Sequence, residues 1–478
     1  MAQNQPPHPS TEKPSDPEDQ SSTSAETTQP PVSPTDPRTW PRRQKWNITL
    51  VVSSFALISP ISSSMVAPAM SKLASDLRIT NTVEIQLTLT IFMLAFAFGP
   101  LVTAPISETV GRARVLLVCN MFYIVWNLAC GFVTNKAEMY CFRLLAGLGG
   151  SAPMVVGGGV LGDLWAPEER GRAVGMYSLG PLLGPVVGPI VGGFIAERTT
   201  WRWVFYATSI VAGISEVLGF IFLRETFAPV LMKRHGVKTD TPQQAEPFVR
   251  RLQTACKRPF FFLVTQPIVL VVAVYMAFIF GTMYLLISTY PDVWTGVYGE
   301  SIGIAGLNYI SLGIGFSVGA QIIALVNDTI YRRLKARNNN KGEPEFRVPA
   351  MFVGSACNAV GLFWYGWSVQ AHTHWIVPNI GIFFFAFGTI TCMQCMQVYV
   401  IDSYTVNAAS CLAAVGFVRS LAAFGIPLFA PAMYNALHYG WGNSVLGFAS
   451  VVLGLPSPFL FWIYGKKLRE ISKFAASN

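Results

Sequence analysis

The sequence predicts an all-α membrane protein with twelve transmembrane helices arranged as two six-helix bundles. Three observations carry that fold class. Of 478 residues, 52% are apolar and only 12% are charged, about half the charge of an ordinary soluble domain. The apolar residues gather in long runs between short polar turns, and one long polar loop divides those runs six and six. This composition excludes a soluble enzyme and makes a nucleic-acid-binding surface a poor account of the +9 net charge.

The elements follow in order. Residues 1–45 are rich in Ser, Thr, Pro and acids and are expected to form a disordered cytosolic tail. They hold no apolar stretch of the kind a signal peptide needs. Apolar runs follow at 46–69, 86–106, 115–133, 138–161, 173–195 and 204–223, forming an N-terminal bundle over 46–223. Residues 224–260 are a basic cytosolic linker. The runs at 266–289, 302–326, 349–369, 375–400, 408–430 and 444–464 form a second bundle over 261–464, and 465–478 is a cytosolic tail. Each run has the length and apolarity of a membrane-crossing segment. In lipid such a run satisfies its backbone polar groups only as a helix.

The charge fixes orientation. With both termini in the cytosol, about 27 of the 34 Lys and Arg fall on the cytosolic side, a strong positive-inside bias. The sequons at Asn47 and Asn327 then face the cytosol and are expected to stay unglycosylated. Most cysteines lie inside apolar runs, so Cys392-x-x-Cys395 reads as two small buried hydrophobes. All five histidines fall in tails or loops. No cofactor and no metal site is expected.

Three motifs suggest mechanism. The loop after the second run reads Ser107-Glu108-Thr109-Val110-Gly111-Arg112-Ala113-Arg114. Gly111 suits a tight turn, and Glu108 can meet the positive end of a helix. The fourth run carries Arg143 inside apolar sequence, which is costly and marks a functional site by default. The fifth run holds Gly175, Gly184, Gly188, Pro189, Gly192 and Gly193 in the spacing G-x8-G-x3-G-P-x2-G-G. With Gly180, the glycines at 184, 188 and 192 make a smooth face for close helix packing. Gly315 and Gly319 on the eighth run are its expected mates.

These segments resemble the major facilitator superfamily. The loop is similar to that family's G-x-x-x-D-R-x-G-R-R, with Ala104 and Ala113 as departures. The fifth-run spacing resembles the antiporter motif of proton-coupled drug exporters. Asp163-Leu-Trp-Ala-Pro-Glu-Glu-Arg-Gly-Arg, Trp201-Arg-Trp-Val-Phe-Tyr and Glu225-Thr-Phe-Ala-Pro-Val-Leu resemble the fungal twelve-span drug:proton antiporters. The resemblance implies two bundles that rock about a midplane site. It implies that Arg143 takes part in proton coupling and that Glu108, Gly111 and Arg112 form a cytosolic gate, with Glu108 latching helix 11. Asp163 and Asp402 join them as gate or cap residues.

Glu216 is a second proton-coupling candidate, deep in the sixth run. Arg419 in the eleventh needs a partner that the sequence does not name. In this fold the first, fourth, seventh and tenth helices line the cavity. Ser63, Ser151, Tyr284, Asn379, Phe383 and Gln394 are the substrate candidates they offer, a mix that suits a flat amphipathic ligand.

The expected function is proton-coupled export of small amphipathic organic molecules. Nutrient uptake is the alternative, although Arg224-Glu-Thr-Phe-Ala-Pro replaces the stretch typical of sugar carriers. A non-transporting receptor or an enzyme is the third reading, and no nucleophile–base set or nucleotide loop supports it. The partners are then a small-molecule substrate, protons and the bilayer, not nucleic acid, and the chain is expected to act as a monomer. The plasma membrane is the expected location, with the vacuolar membrane as alternative.

Overall fold

Helices of 16–29 residues follow one another with short connections, and among the described residues there is no strand. The structure, a computed structural model, describes residues 36–166, 169–234, 248–472 and 474. Most of the expected tail, Glu168 and the middle of the linker lie outside these residues.

The spanning helices are α1 (Arg42–Ser64), α2 (Thr82–Val110), α3 (Arg112–Cys130), α4 (Lys136–Leu164), α5 (Arg170–Arg198) and α6 (Arg202–Phe222) in the first bundle. The second bundle holds α7 (Pro267–Asp292), α8 (Tyr309–Arg337), α9 (Pro349–Gln370), α10 (Ile376–Tyr404), α11 (Ala408–Gly425), α12 (Ala430–Gly454) and α13 (Pro456–Ile471). Several helices outrun their apolar segments, because they continue beyond the hydrocarbon layer.

By helical continuity there are eleven spans, the last being Ala408–Glu470 with 63 residues. A straight helix of that length would measure about 95 Å, roughly three bilayer cores. It does not run straight. His438 takes φ 54° and breaks the path. The stretch is therefore two spans, 408–437 and 439–471, which completes twelve. The final span runs antiparallel along α9: the Gly440 amide donates to Gln370 Oε1, Gly366 meets Asn443, Phe363 packs on Phe448 and Phe352 on Phe459.

The halves repeat each other. α1 packs along α5 as α7 packs along α11, and α2 along α4 as α8 along α10. The outer surface is apolar. On α6, Ile210, Ile214, Val217 and Ile221 are each more than half exposed at helical spacing, which fits a lipid-facing stripe.

The core shows where the halves meet. The end carrying Asp36, Phe474 and most basic residues is the basic end. There each bundle has its own cluster: Val52, Phe55, Leu116 and Val160 in the first, and Val272, Met351, Met396 and Tyr399 in the second. At the far end one cluster draws on both, joining Met65, Leu73 and Phe92 to Tyr284, Trp294 and Tyr309.

The linker is less featureless than its composition predicts. It holds helices Ala228–Arg234 and Phe248–Thr265. The second straddles the seam between halves: the Cys256 thiol donates to Leu101 O on α2 at 3.4 Å, and Phe260 packs 4.9 Å from Phe417 on α11.

Candidate functional site

The glycine face of α5 packs against α1, not α8. A Cβ at Gly180 would lie 2.9 Å from the Leu57 amide nitrogen, and one at Gly188 would lie 2.8 Å from Ile61 O. Gly184 meets Pro60, and Gly192 meets Met65 O. The Ser64 hydroxyl donates to Gly184 O at 3.2 Å. The expected mates Gly315 and Gly319 instead pack on Phe383 and Phe387 of α10. A small face permits close approach, but it does not name its partner.

Another face of α5 forms a seal with the second half at the far end. Gly193 and Pro189 abut the short helix Ile302–Leu307, where a Cβ at Gly193 would lie 2.8 Å from Ile302 O. The Glu197 carboxylate accepts from the Gly303 amide at 2.6 Å and from the Ser301 hydroxyl at 3.1 Å. Val186 packs on Gly313 of α8. Gly175 lies three turns before Val186, on the same stripe, yet nothing stands within 4 Å of its Cβ position. The faces of α5 and α8 that touch at the far end therefore part toward the basic end.

The expected gate residues brace each half internally. Arg112 Nε donates to Asp163 at 3.1 Å and its Nη1 to the Ser107 hydroxyl at 3.1 Å. In the second half Arg347 bonds Asp402 at 3.1 Å and Asp328 at 2.7 Å, and stacks on Tyr331. Asp163 and Asp402 thus tie α4 to α3 and α10 to the start of α9. Glu108 is exposed, and no ion pair or hydrogen bond is seen for it among the described residues; the latch onto helix 11 is not made in this arrangement.

A different acid holds the helix terminus there. The buried Glu225 carboxylate accepts from the Arg112, Ala113, Thr226 and Phe227 amides at 2.9–3.3 Å. Gly111, at φ 113°, leaves it the room. Its counterpart, Glu345, forms a buried two-pronged pair with Arg469 at 2.8 and 2.9 Å. Sequence reading overlooked both acids as loop residues.

Arg143 points into the first bundle and is fully buried. Its Nε donates to Thr88 O and its Nη1 to Ser62 O, both at 3.2 Å. Its guanidinium lies 4.6 Å from the Phe92 ring centre. Nη2 has no partner. Glu216 does not pair with it: one carboxylate oxygen accepts from Asn120 Nδ2 at 2.7 Å and the other has no partner. Asn127 links the region between them, bonding Ser62, Thr208 and Ser209.

The two halves touch near the midplane through Ser63 and Tyr284, 3.0 Å apart. Ser63 gives its proton to Pro60 O at 2.8 Å, so Tyr284 is the donor. Tyr284 packs 5.3 Å from Phe280, and Arg419 lies over the Phe280 ring at 4.5 Å. Arg419's partner is thus a ring face, which sequence does not mark. Phe383 stacks with Phe387 on α10, and Gln394 follows on the same part-exposed face. Two expected cavity residues are committed elsewhere. Ser151 bonds Leu148 O within the α2–α4 packing, and Asn379 bonds Tyr290 and Asn308.

A sequence profile described as Major Facilitator Superfamily matches residues 52–427. "Efflux pump vrtL" of Penicillium aethiopicum is 50% identical over 93% of this chain and 90% of its own length. "MFS-type transporter oryF" of Aspergillus oryzae is 40% identical over 91% and 93%. A crystal structure of a D-xylose-proton symporter superposes with TM-score 0.68 at 15% identity, covering 88% of this chain and 97% of that one. At that identity the likeness concerns the fold.

Proposed function

The chain belongs to the major facilitator superfamily, and from that premise we propose that it exports small amphipathic organic molecules in exchange for protons by alternating access. It is a multi-pass membrane transporter, not an enzyme. The observation that carries the proposal is α5, whose glycine face is seated on α1 while its Pro189–Gly193–Glu197 face seals the far end against Ile302–Leu307. One helix thereby couples packing inside the first half to closure between the halves. The efflux pump that is 50% identical supports the outward direction.

On the positive-inside reading the basic end faces the cytosol. The structure is then closed outside and open inside, the state that admits cargo for export. Cargo enters between α5, α7, α8 and α10 and meets Tyr284, Phe280 and the α10 aromatics. The far-end seal then parts, the basic ends close and cargo leaves. Glu216 is a buried acid with no cation beside it among the described residues, so it can take up and release a proton. Arg143, held by two carbonyls with one nitrogen free, is the other buried charge of this bundle, and a change of charge at Glu216 acts on it through the bundle interior.

Purified protein in vesicles tests this with a panel of amphipathic aromatic dyes. Transport should follow an imposed pH gradient and stop when the gradient collapses. Arg143→Ala should abolish it while protein remains in the membrane. Transport indifferent to the gradient would refute the proton coupling.

A further inference from the structure

We propose that Arg419 anchors a negatively charged group on the cargo, so that this transporter selects organic acids with an aromatic body. The inference rests on the export reading and names its substrate class. Arg419 sits in α11 midway across the membrane. Among the described residues it makes no hydrogen bond and no ion pair, and its Nε is buried without a partner. Its one close neighbour of note is the Phe280 ring face at 4.5 Å. A cation–π contact compensates only part of a buried guanidinium's lost hydration, and it leaves the planar N–H fork unused. That fork matches a carboxylate or an enolate better than any neutral group.

The surroundings are equally one-sided. The other mid-membrane arginine, Arg143, is fully buried and keeps one nitrogen unpartnered, whereas Arg419 is half-buried. The Tyr284 hydroxyl is within electrostatic reach of both. Among the described residues no acid pairs with Arg419: Asp163 is held by Arg112, Asp402 and Asp328 by Arg347, Glu345 by Arg469, Glu225 by backbone amides and Glu216 by Asn120, while Glu108 and Asp292 stand at helix ends away from the midplane. The unpaired charge between the bundles is therefore positive. It stands beside Phe280 and Tyr284, across from Phe383 and Phe387, whose rings can hold a flat apolar body. A cationic cargo would be repelled, and a neutral one would offer the fork at most an uncharged acceptor, a weaker partner than a carboxylate.

Matched pairs test the idea: 2-naphthoate, 9-anthracenecarboxylate and anthraquinone-2-carboxylate against their carboxamides, with affinity read by thermal shift and calorimetry in detergent. The acids should bind at least tenfold tighter than the amides. Arg419→Gln should erase that preference, bringing acid affinity down to that of the amides, and a melting transition as sharp as the parent's shows that the variant is folded. Arg419→Lys should keep most of it. The inference is overturned if no acid binds, if amides bind as well, or if the preference survives Arg419→Gln. Binding in detergent does not depend on proton coupling. A lost acid preference with gradient-driven export intact refutes only this inference; the converse refutes only the export reading.

Discussion

Replacing Glu197 with Gln should shift the protein toward the state open at the far end. Glu197 Oε2 takes two hydrogen bonds from the opposite half, at 2.6 Å from the Gly303 amide and 3.1 Å from the Ser301 hydroxyl. Bonds to a charged acceptor stabilise by about 1.5–3 kcal/mol when shielded from water. Glu197 is exposed, and solvent screening lowers the expected value to about 1 kcal/mol. Gln keeps an acceptor oxygen and loses the charge. A change of about 1 kcal/mol moves the ratio of far-end-closed to far-end-open molecules about fivefold. Ser301→Ala removes one bond of the two and should move the ratio about half as far in free energy. Because the contact lies between halves, neither variant should alter the stability of a single bundle. The assay is a distance distribution between spin labels at Thr80 and Ala371, which are exposed at the far end on opposite halves, in a background with the exposed Cys141 replaced. A longer-distance population should grow in Glu197→Gln. An unchanged distribution, or a shift to shorter distances, would refute the seal.

Three further substitutions probe the scaffold. Glu345→Gln leaves Arg469 buried without its carboxylate and should cost about 3–5 kcal/mol, seen as a clear loss of thermal stability; Glu345→Met with Arg469→Leu should recover most of it. Gly188→Ala forces a methyl against Ile61 O and should cost about 1–3 kcal/mol by overpacking, measured as lower melting temperature. Gly175→Ala adds a methyl where nothing stands within 4 Å, so melting should not change. Transport should still fall, because the same stripe must meet α8 when the basic end closes; unchanged transport would contradict that.

What the sequence revealed depended on whether the signal was local. Apolar runs and charge asymmetry are local properties, and the helices stand where they predict. The twelfth span shows the strength of that signal: the apolar runs 408–430 and 444–464 are separate in sequence, whereas helical continuity passes through His438 and only its backbone angle parts the two spans. The α5 glycines were legible as a packing face, but their partner was not, since any backbone can approach a smooth face. Ser151 and Asn379 are polar residues on the expected helices, yet their hydrogen bonds are spent inside one bundle. Glu225 and Glu345 were assigned no role because Arg112, Ala113 and Arg469, which they hold, lie more than 100 residues away. Arg143 and Arg419 stood out as charges in apolar runs. Their surroundings of carbonyls and ring faces come from the fold, because such partners leave no mark on composition.

The most direct test of proton-coupled export is the proton movement that accompanies cargo. Vesicles with the basic end outward, loaded with a lumenal pH dye, receive a membrane-impermeant aromatic acid outside. Exchange predicts that the lumen turns alkaline as cargo enters, and that Arg143→Ala removes both signals. Lumenal acidification during uptake, or cargo accumulation with no pH change, would contradict the account.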